Sequence, residues 1–395
     1  MLNERLEHLT DYPFDRLRSL LDPLDPPSGL EPLALSIGEP KGETPALLTE
    51  VLTANGADWN RYPPIDGTPD LREAIGDWLV GRYDLPELDP HLCVMPVAGT
   101  REALFLAGIL SVPEKIKDSK PYVLIPNPFY QVYLGAAVFS GAEPYYLPAT
   151  RETGFQPDLA AVDPEILEKT ALVILCSPAN PQGSVAGPER LREAIALARR
   201  YGFTLIFDEC YSEIYGQTPP PGGLRAAADL GEGLDNVLVF NSLSKRSGAP
   251  GLRSGFAAGD AALISKFRRL RAYSAATVPL PIMAASAALW RDEAHVEINR
   301  NHYRGLFDAA DSIIGSDFGY RRPGGGFFLW LDVADGEAAA RKLWQEAALR
   351  VIPGAYLART GADGVNPGQA YIRVALVHDR ATVETALNRL VGVLR

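Results

Sequence analysis

Three short apolar runs in this chain each end in polar residues able to do chemistry. FTLIF gives way to Asp208, Glu209, Cys210 and Tyr211; ALVILC to Ser177, Pro178, Ala179 and Asn180; VLVF to Asn241, Ser242, Leu243, Ser244 and Lys245. In an open α/β sheet ligands sit beyond the carboxyl ends of the strands, so the three clusters are expected to converge on one crevice. Lys245 brings an amine there that can serve as nucleophile or base. Gly99 and Thr100 precede the helical run REALFLAGIL, where free backbone N–H groups and the helix dipole favour an anion. Arg373 lies inside the apolar run AYIRVAL, where a cation is costly without a partner; a structural ion pair is its plainer explanation. Taken singly, the others also have plain readings: Asp208 a cap at a strand end, Asn180 the turn residue of ANPQG, Lys245 a solvated surface lysine, Tyr211 packing.

The elements that must position these residues can be read from periodicity. From about residue 95, apolar runs at 122–125, 171–176, 203–207, 237–240 and 254–258 alternate with helix-like stretches, which gives an α/β fold with a mostly parallel sheet. REALFLAGIL from Arg101 and PERLREAIALARRYG from Pro188 carry apolar residues at spacings of three and four, and Gly202 is placed as a helix C-cap. The proline-rich stretch from Pro23 to Pro32 reads as an arm before the first strand. GGGFFLWLDV, GEAAARKLWQEA, AYIRVALV and a terminal helix form a smaller α+β unit. The expected division is an N-terminal arm over 1–45, a large domain over 46–280 and a small domain over 281–395.

Composition narrows the partners. The 395 residues carry 38 Lys and Arg against 49 Asp and Glu, and a net charge of -11 disfavours nucleic acid and anionic membranes. Cys93, Cys176 and Cys210 are isolated and odd in number, which suits a reducing, cytoplasmic compartment and argues against zinc or a disulfide framework. No stretch approaches the ~18 apolar residues of a membrane span. GGG at Gly324 leads into a strand rather than a helix, and no phosphate-loop motif occurs, so neither NAD nor ATP is implied. His295 and His302 flank Glu297 on one helix face, but at a spacing too wide for an ordinary metal pair; surface histidines are expected, and no metal.

GTREAL, SPANPQG, DECYSE and SLSKRSGAPGLRSGF occur in this order over most of the chain. In them the sequence resembles the aspartate aminotransferase family, fold type I of the pyridoxal 5'-phosphate (PLP) enzymes. The resemblance implies that Lys245 forms a Schiff base with PLP and then, released, moves the proton from the substrate Cα to the cofactor's C4′. It implies Asp208 against the pyridine nitrogen, Asn180 and Tyr211 on the phenolic oxygen, and Tyr130 stacked on the ring, with Phe129 the less favoured neighbour. Gly99, Thr100, Ser242 and Arg253 would hold the phosphate, joined by Tyr62 of a second subunit in a homodimer with shared active sites. Arg373 would clamp the substrate α-carboxylate, with Gly38 nearby.

The longer stretches YPFDRLRSL, LSIGEPKGETPAL, NPFYQVYLGAAVFSGAEPYYL and WRDEAHVEINRNHYR resemble the succinyldiaminopimelate aminotransferases of proteobacteria. Ala98 and Gln182 depart from the usual residues beside the Gly-Thr pair and in the asparagine-proline turn. The implied reaction exchanges an amino group between N-succinyl-LL-2,6-diaminopimelate and 2-oxoglutarate, in lysine and diaminopimelate biosynthesis. Both substrates are polyanions, and Lys41, Arg321 and Arg322 are the candidates for a second carboxylate. Another aminotransferase specificity is the main alternative, whether aromatic, acetylornithine-like or aspartate-like. A PLP-dependent lyase and a PLP-binding regulator are more distant ones.

Overall fold

The computed structural model describes residues 2–231, 233–361 and 363–395. The large sheet has seven strands: β1 (Val94–Val97), β2 (Tyr122–Asn127), β3 (Glu143–Pro148), β4 (Thr170–Cys176), β5 (Thr204–Asp208), β6 (Val237–Ser242) and β7 (Gly255–Gly259). Their order is β1-β7-β6-β5-β4-β2-β3. β7 is antiparallel to both its neighbours, and the remaining pairs are parallel. The exception follows from its connection: between β6 and β7 lie only the one-turn helices Leu243–Arg246 and Pro250–Leu252, too little for a parallel crossover. β5 and β6 are buried throughout, as their unbroken apolar runs require of strands covered on both faces. β3 (EPYYLP) carries two prolines and lies at the sheet edge, where missing ladder donors are tolerated.

The pairing puts the strand ends level, with Cys176 opposite Asp208 and Asp208 opposite Phe240. The three polar clusters therefore start from one line across the sheet. Helix Pro188–Tyr201 stops at Gly202, whose φ of 79° and N–H bond to the Ala198 carbonyl make the expected C-cap. Helices Thr100–Ser111 and Val132–Ser140 cross so closely that a Cβ on Gly108 would lie 2.4 Å from the Ala136 carbonyl oxygen.

A second sheet is made of β8 (Phe328–Asp332), β9 (Ile352–Pro353) and β10 (Tyr371–Ala375), antiparallel in the order β9-β10-β8. Helices Ala294–Ile314, Gly336–Ala347 and Arg380–Leu394 share its core, through residues such as Phe307, Leu343 and Leu387. The N-terminal helix Pro13–Leu21 adds Leu17, Leu20 and Leu21 to it. Beyond the proline-rich stretch, Leu33–Ala34 pairs with Leu349–Arg350. Helix Leu280–Arg291 packs instead on helices Ala46–Ala54 and Pro69–Tyr83, within the core of the large sheet. No helix among the described residues is long and apolar enough to cross a membrane.

The helix crossing at Gly108 carries functional elements, since one helix begins at Thr100 and the other follows Tyr130. Gly108→Leu should force these helices apart and lower the unfolding free energy by about 1–3 kcal/mol, measured as a fall in the urea midpoint at unchanged slope.

Candidate active site

A cavity of about 410 Å³ opens at the carboxyl ends of the large sheet, between it and the second sheet. Ten of the twelve residues singled out from the sequence line it: Gly38, Thr100, Tyr130, Asn180, Asp208, Tyr211, Ser242, Lys245, Arg253 and Arg373. Gly99 sits directly behind, where a Cβ would come within 2.1 Å of Arg253 Nη2. Tyr62 is fully exposed and does not line the cavity of its own chain.

Lys245 is no solvated lysine. It projects from the helical turn Leu243–Arg246, and its Nζ donates to the Gly38 carbonyl at 2.5 Å. The rings of Phe327 and Tyr211 lie 5.1 and 6.0 Å from the nitrogen. Loss of hydration pulls its pKa down to about 8, assisted by the positive charges of Arg373 and Arg253.

Asp208 is buried at the end of β5. One oxygen accepts the Tyr133 hydroxyl at 2.7 Å and the other the Cys210 N–H at 3.2 Å. No cation of the chain reaches it among the described residues, and burial raises its pKa. Tyr133 is a site residue that the sequence reading passed over. It follows Tyr130 by three residues at a helix start, the spacing that brings two side chains onto one face, and their rings meet edge to face at 5.8 Å.

Arg373 projects from β10 and is 5% exposed. It donates to Asn180 Oδ1 at 3.0 Å and to the Ser36 carbonyl at 2.6 Å, and its guanidinium lies 4.2 Å over the Phe328 ring. Its Nε has no partner. No carboxylate pairs with it among the described residues, so a structural ion pair is not its explanation. Burial lowers its pKa to about 10.

The anion cup is preformed. Gly99 caps helix Thr100–Ser111 with φ 87°, a conformation that favours glycine, and a Cβ there would displace the Arg253 guanidinium from its present place. Arg253 is held by the Pro250 carbonyl at 2.9 Å. Ser242 Oγ is bonded to Ser244 Oγ and to the Ser254 carbonyl, each at 2.9 Å. A guanidinium, two hydroxyls and a helix N-terminus around one space suit a phosphate. Tyr130 also borders the cavity, its hydroxyl accepting Arg101 Nε at 2.6 Å. Phe129 is the more buried of the pair and stacks on Tyr146.

Two expectations need correction. Lys41, Arg321 and Arg322 do not line the cavity. Arg322 is paired with Asp308 and Asp311, Arg321 lies over Phe155, and Lys41 points at His378. Arg101 borders the cavity instead, with no carboxylate partner among the described residues. The second correction concerns the histidines. The His295 side chain is only 9% exposed, because the start of helix Ala294–Ile314 packs beneath the lysine turn; its Nδ1 lies 2.6 Å from Asp292 and its Nε2 2.8 Å from Ser247. His302 is half-buried against Tyr303.

A desolvated amine, a carboxylate without a cation and a cup of anion-binding groups at the strand ends describe a site suited to a small anionic ligand. Residues 31–390 match the family described as Aminotransferase class I and II, and the chain belongs to that family. Its cofactor is PLP. The residues present fit it: the cup suits the phosphate, and the uncompensated Asp208 suits a protonated ring nitrogen.

The similar proteins cover nearly the whole chain. An LL-diaminopimelate aminotransferase of Desulforudis audaxviator is 31% identical, over 99% of this chain and 97% of that one. The 4-dedimethylamino-4-oxo-anhydrotetracycline transaminase OxyQ of Streptomyces rimosus is 34% identical, over 92% of this chain and 94% of its own. The crystal structure of an aminotransferase from Neisseria meningitidis superposes with a TM-score of 0.95 at 42% identity, with both chains covered in full.

The lowered pKa of Lys245 has a direct test. In the cofactor-free protein, pH-dependent labelling by an amine reagent, read by mass spectrometry, should show a Lys245 midpoint near 8. Between that pH and the unfolded value of about 10.4 the folded chain binds fewer protons than the unfolded one, so this group's contribution to stability rises with pH.

Proposed function

We propose that this aminotransferase moves the amino group between N-succinyl-LL-2,6-diaminopimelate and 2-oxoglutarate, in diaminopimelate and lysine biosynthesis. The observation that carries the amino-acid chemistry is the buried Arg373 without a carboxylate, facing the same cavity as the Lys245 amine. When bound, PLP supplies the aldehyde that captures the amino group and the ring that takes up the electrons released at the substrate Cα. Lys245 holds the cofactor and then carries the proton between that Cα and the cofactor's C4′; a pKa near 8 keeps an appreciable share of free base at neutral pH.

The other assignments are those the family resemblance implies, and the placement of most of these residues around one cavity supports them. Asp208 keeps a proton on the ring nitrogen, with Tyr133 fixing its orientation. Arg373 takes the α-carboxylate beside Gly38. Asn180 spends its oxygen on Arg373 and so has its amide N–H groups free for the phenolic oxygen, alongside Tyr211. Tyr130 stacks on the ring. Gly99, Thr100, Ser242 and Arg253 hold the phosphate. Tyr62, exposed together with Trp59 and Ile65, completes the phosphate site of a second subunit in a homodimer.

The succinylated substrate, with three carboxylates, is supported by the long sequence matches outside the cofactor motifs and by Arg101, a cavity cation without a carboxylate partner among the described residues that could meet a distal carboxylate. The relatives named LL-diaminopimelate aminotransferase favour a second reading, in which the substrate lacks the succinyl group. Steady-state kcat/KM with glutamate and 2-oxoglutarate as partners separates the two. One charge-assisted hydrogen bond to the succinyl carboxylate contributes roughly 1.5–3 kcal/mol, so the succinylated diamine should exceed the free one by about tenfold or more. A preference for the free diamine would move the assignment to the second reading, and a preference for N-acetylornithine or an aromatic amino acid would end both.

Lys245→Ala should abolish turnover and the visible absorption of the lysine-bound cofactor, with no PLP left covalently attached after borohydride reduction.

A further inference from the structure

The turn that carries Lys245 is held from below by a hydrogen-bond chain that the reaction itself does not use. Helix Leu243–Arg246 has a single turn, so its last carbonyls have no partners within it. Asn299 Nδ2 supplies them, donating to the carbonyls of Lys245 at 2.9 Å and Arg246 at 3.1 Å. The next residue, Ser247, closes the turn with its N–H on the Leu243 carbonyl, and its hydroxyl lies 2.8 Å from His295 Nε2. His295 Nδ1 in turn faces Asp292 Oδ2 at 2.6 Å. With a carboxylate on Nδ1, that nitrogen carries the proton and Nε2 is left to accept from Ser247. Arg246 extends the other way, onto the carbonyls of Leu289 and Trp290 and the carboxylate of Glu293.

Serine, histidine and aspartate in this order are the parts of an acyl-transfer triad, but Ser247 is 2% exposed and does not line the cavity that holds Lys245, so its oxygen is not placed to meet a substrate there. What the chain can do is fix the backbone frame of Lys245. The lysine side chain has four rotatable bonds, and its Nζ meets the Gly38 carbonyl only if the turn beneath it keeps its orientation. Reacting groups are sensitive to such placement: an error of about 1 Å can cost about a hundredfold in rate.

We propose that Asp292, His295, Ser247 and Asn299 form a positioning relay for Lys245, with His295 as its central positioning residue. The charged groups facing His295 are Asp292, Glu293 and Arg246, so the imidazole sits between opposing charges and acts through geometry rather than through a charge of its own.

This inference rests on Lys245 being the amine that holds PLP. The test uses the full-length holoenzyme and its cofactor-free form. It compares the wild type with His295→Leu, which removes both contacts, His295→Gln, which keeps an acceptor for Ser247, and Ser247→Ala, which removes one hydroxyl. Single-turnover reaction with glutamate should slow by about tenfold or more in His295→Leu with little change in apparent glutamate affinity, and His295→Gln should recover most of the loss. In the cofactor-free protein the labelling midpoint of Lys245 should move by about half a pH unit or more, since its amine no longer keeps its seat on Gly38. Ser247→Ala should shift both readouts in the same direction, and it decides the matter if His295→Leu fails to fold. Wild-type rates and an unmoved midpoint, with or without a loss of thermal stability, overturn the proposal. If PLP does not protect wild-type Lys245 from labelling, the cofactor assignment fails instead.

Discussion

Burying Arg373 and Asp208 in one cavity, each without an opposite charge from the chain, is the constraint around which the structure is arranged. An ion withdrawn from water costs several kcal/mol after relaxation unless a counter-charge or a set of dipoles replaces its hydration. Here the replacement is partial. Arg373 has an amide oxygen, a carbonyl and the face of Phe328, while Asp208 has the Tyr133 hydroxyl and one backbone N–H. Such dipoles hold the charges in place without neutralising them. The cavity therefore suits a ligand that is anionic where it meets Arg373 and cationic where it meets Asp208.

The two charges arrive from different sheets, so the cavity exists only if the sheets are held in register. Asp208, Asn180 and Lys245 follow β5, β4 and β6 of the large sheet, while Arg373 lies on β10 of the small one. The segment after Leu33 joins them: Leu35 bonds the pair Leu349–Arg350 through its N–H on Arg350, and the small-sheet strand β10 through its carbonyl, which accepts the Ala375 N–H. Ser36 then accepts Arg373, and Gly38 accepts Lys245. Gly38 has no room for a side chain, since a Cβ there would lie 2.5 Å from the Phe328 ring. One short stretch of backbone thus touches both the Arg373 guanidinium and the Lys245 amine.

How much of this could be read in the sequence depended on whether the signal was local. Asp208 stands directly after its apolar run and Asn180 and Lys245 lie in the short polar clusters that close theirs, so strand-end logic found them, and Gly99-Thr100 announces a helix start whatever surrounds it. Gly202 was legible for the same reason. β1 and β3 were not, because VMPV is four residues long and EPYYLP is broken by proline. The antiparallel direction of β7 was hidden too, since it depends on connection length rather than on composition. His295 and Tyr133 failed for another reason. Their contacts are with Ser247, far off in the chain, and with Asp208 on a strand, and the three-residue step from Tyr130 to Tyr133 shows a shared helix face but not its acceptor. The three basic residues offered for a distal carboxylate, Lys41, Arg321 and Arg322, were chosen by charge alone, and charge does not say which way a side chain faces.

The absence of a counterion at Arg373 is not a general looseness in how this chain treats its charges. Arg72, Arg246, Arg271 and Arg300 are also buried, and each reaches a carboxylate: Asp66 at 3.5 Å, Glu293 at 2.6 Å, Glu102 at 2.6 Å and Glu213 at 2.9 Å. Glu213 serves Arg82 as well, tying the segment after Asp208 to helix Pro69–Tyr83 and helix Ala294–Ile314 at once. Where an arginine has only to hold the structure together, the fold brings an acid to it. Among the described residues Arg373 is the buried arginine left without one, and it is the one that borders the cavity. A chain-borne carboxylate at that place would remove the electrostatic cost and, with it, the capacity to take the carboxylate of a ligand. The site stays short of one negative charge, which an anionic ligand can supply.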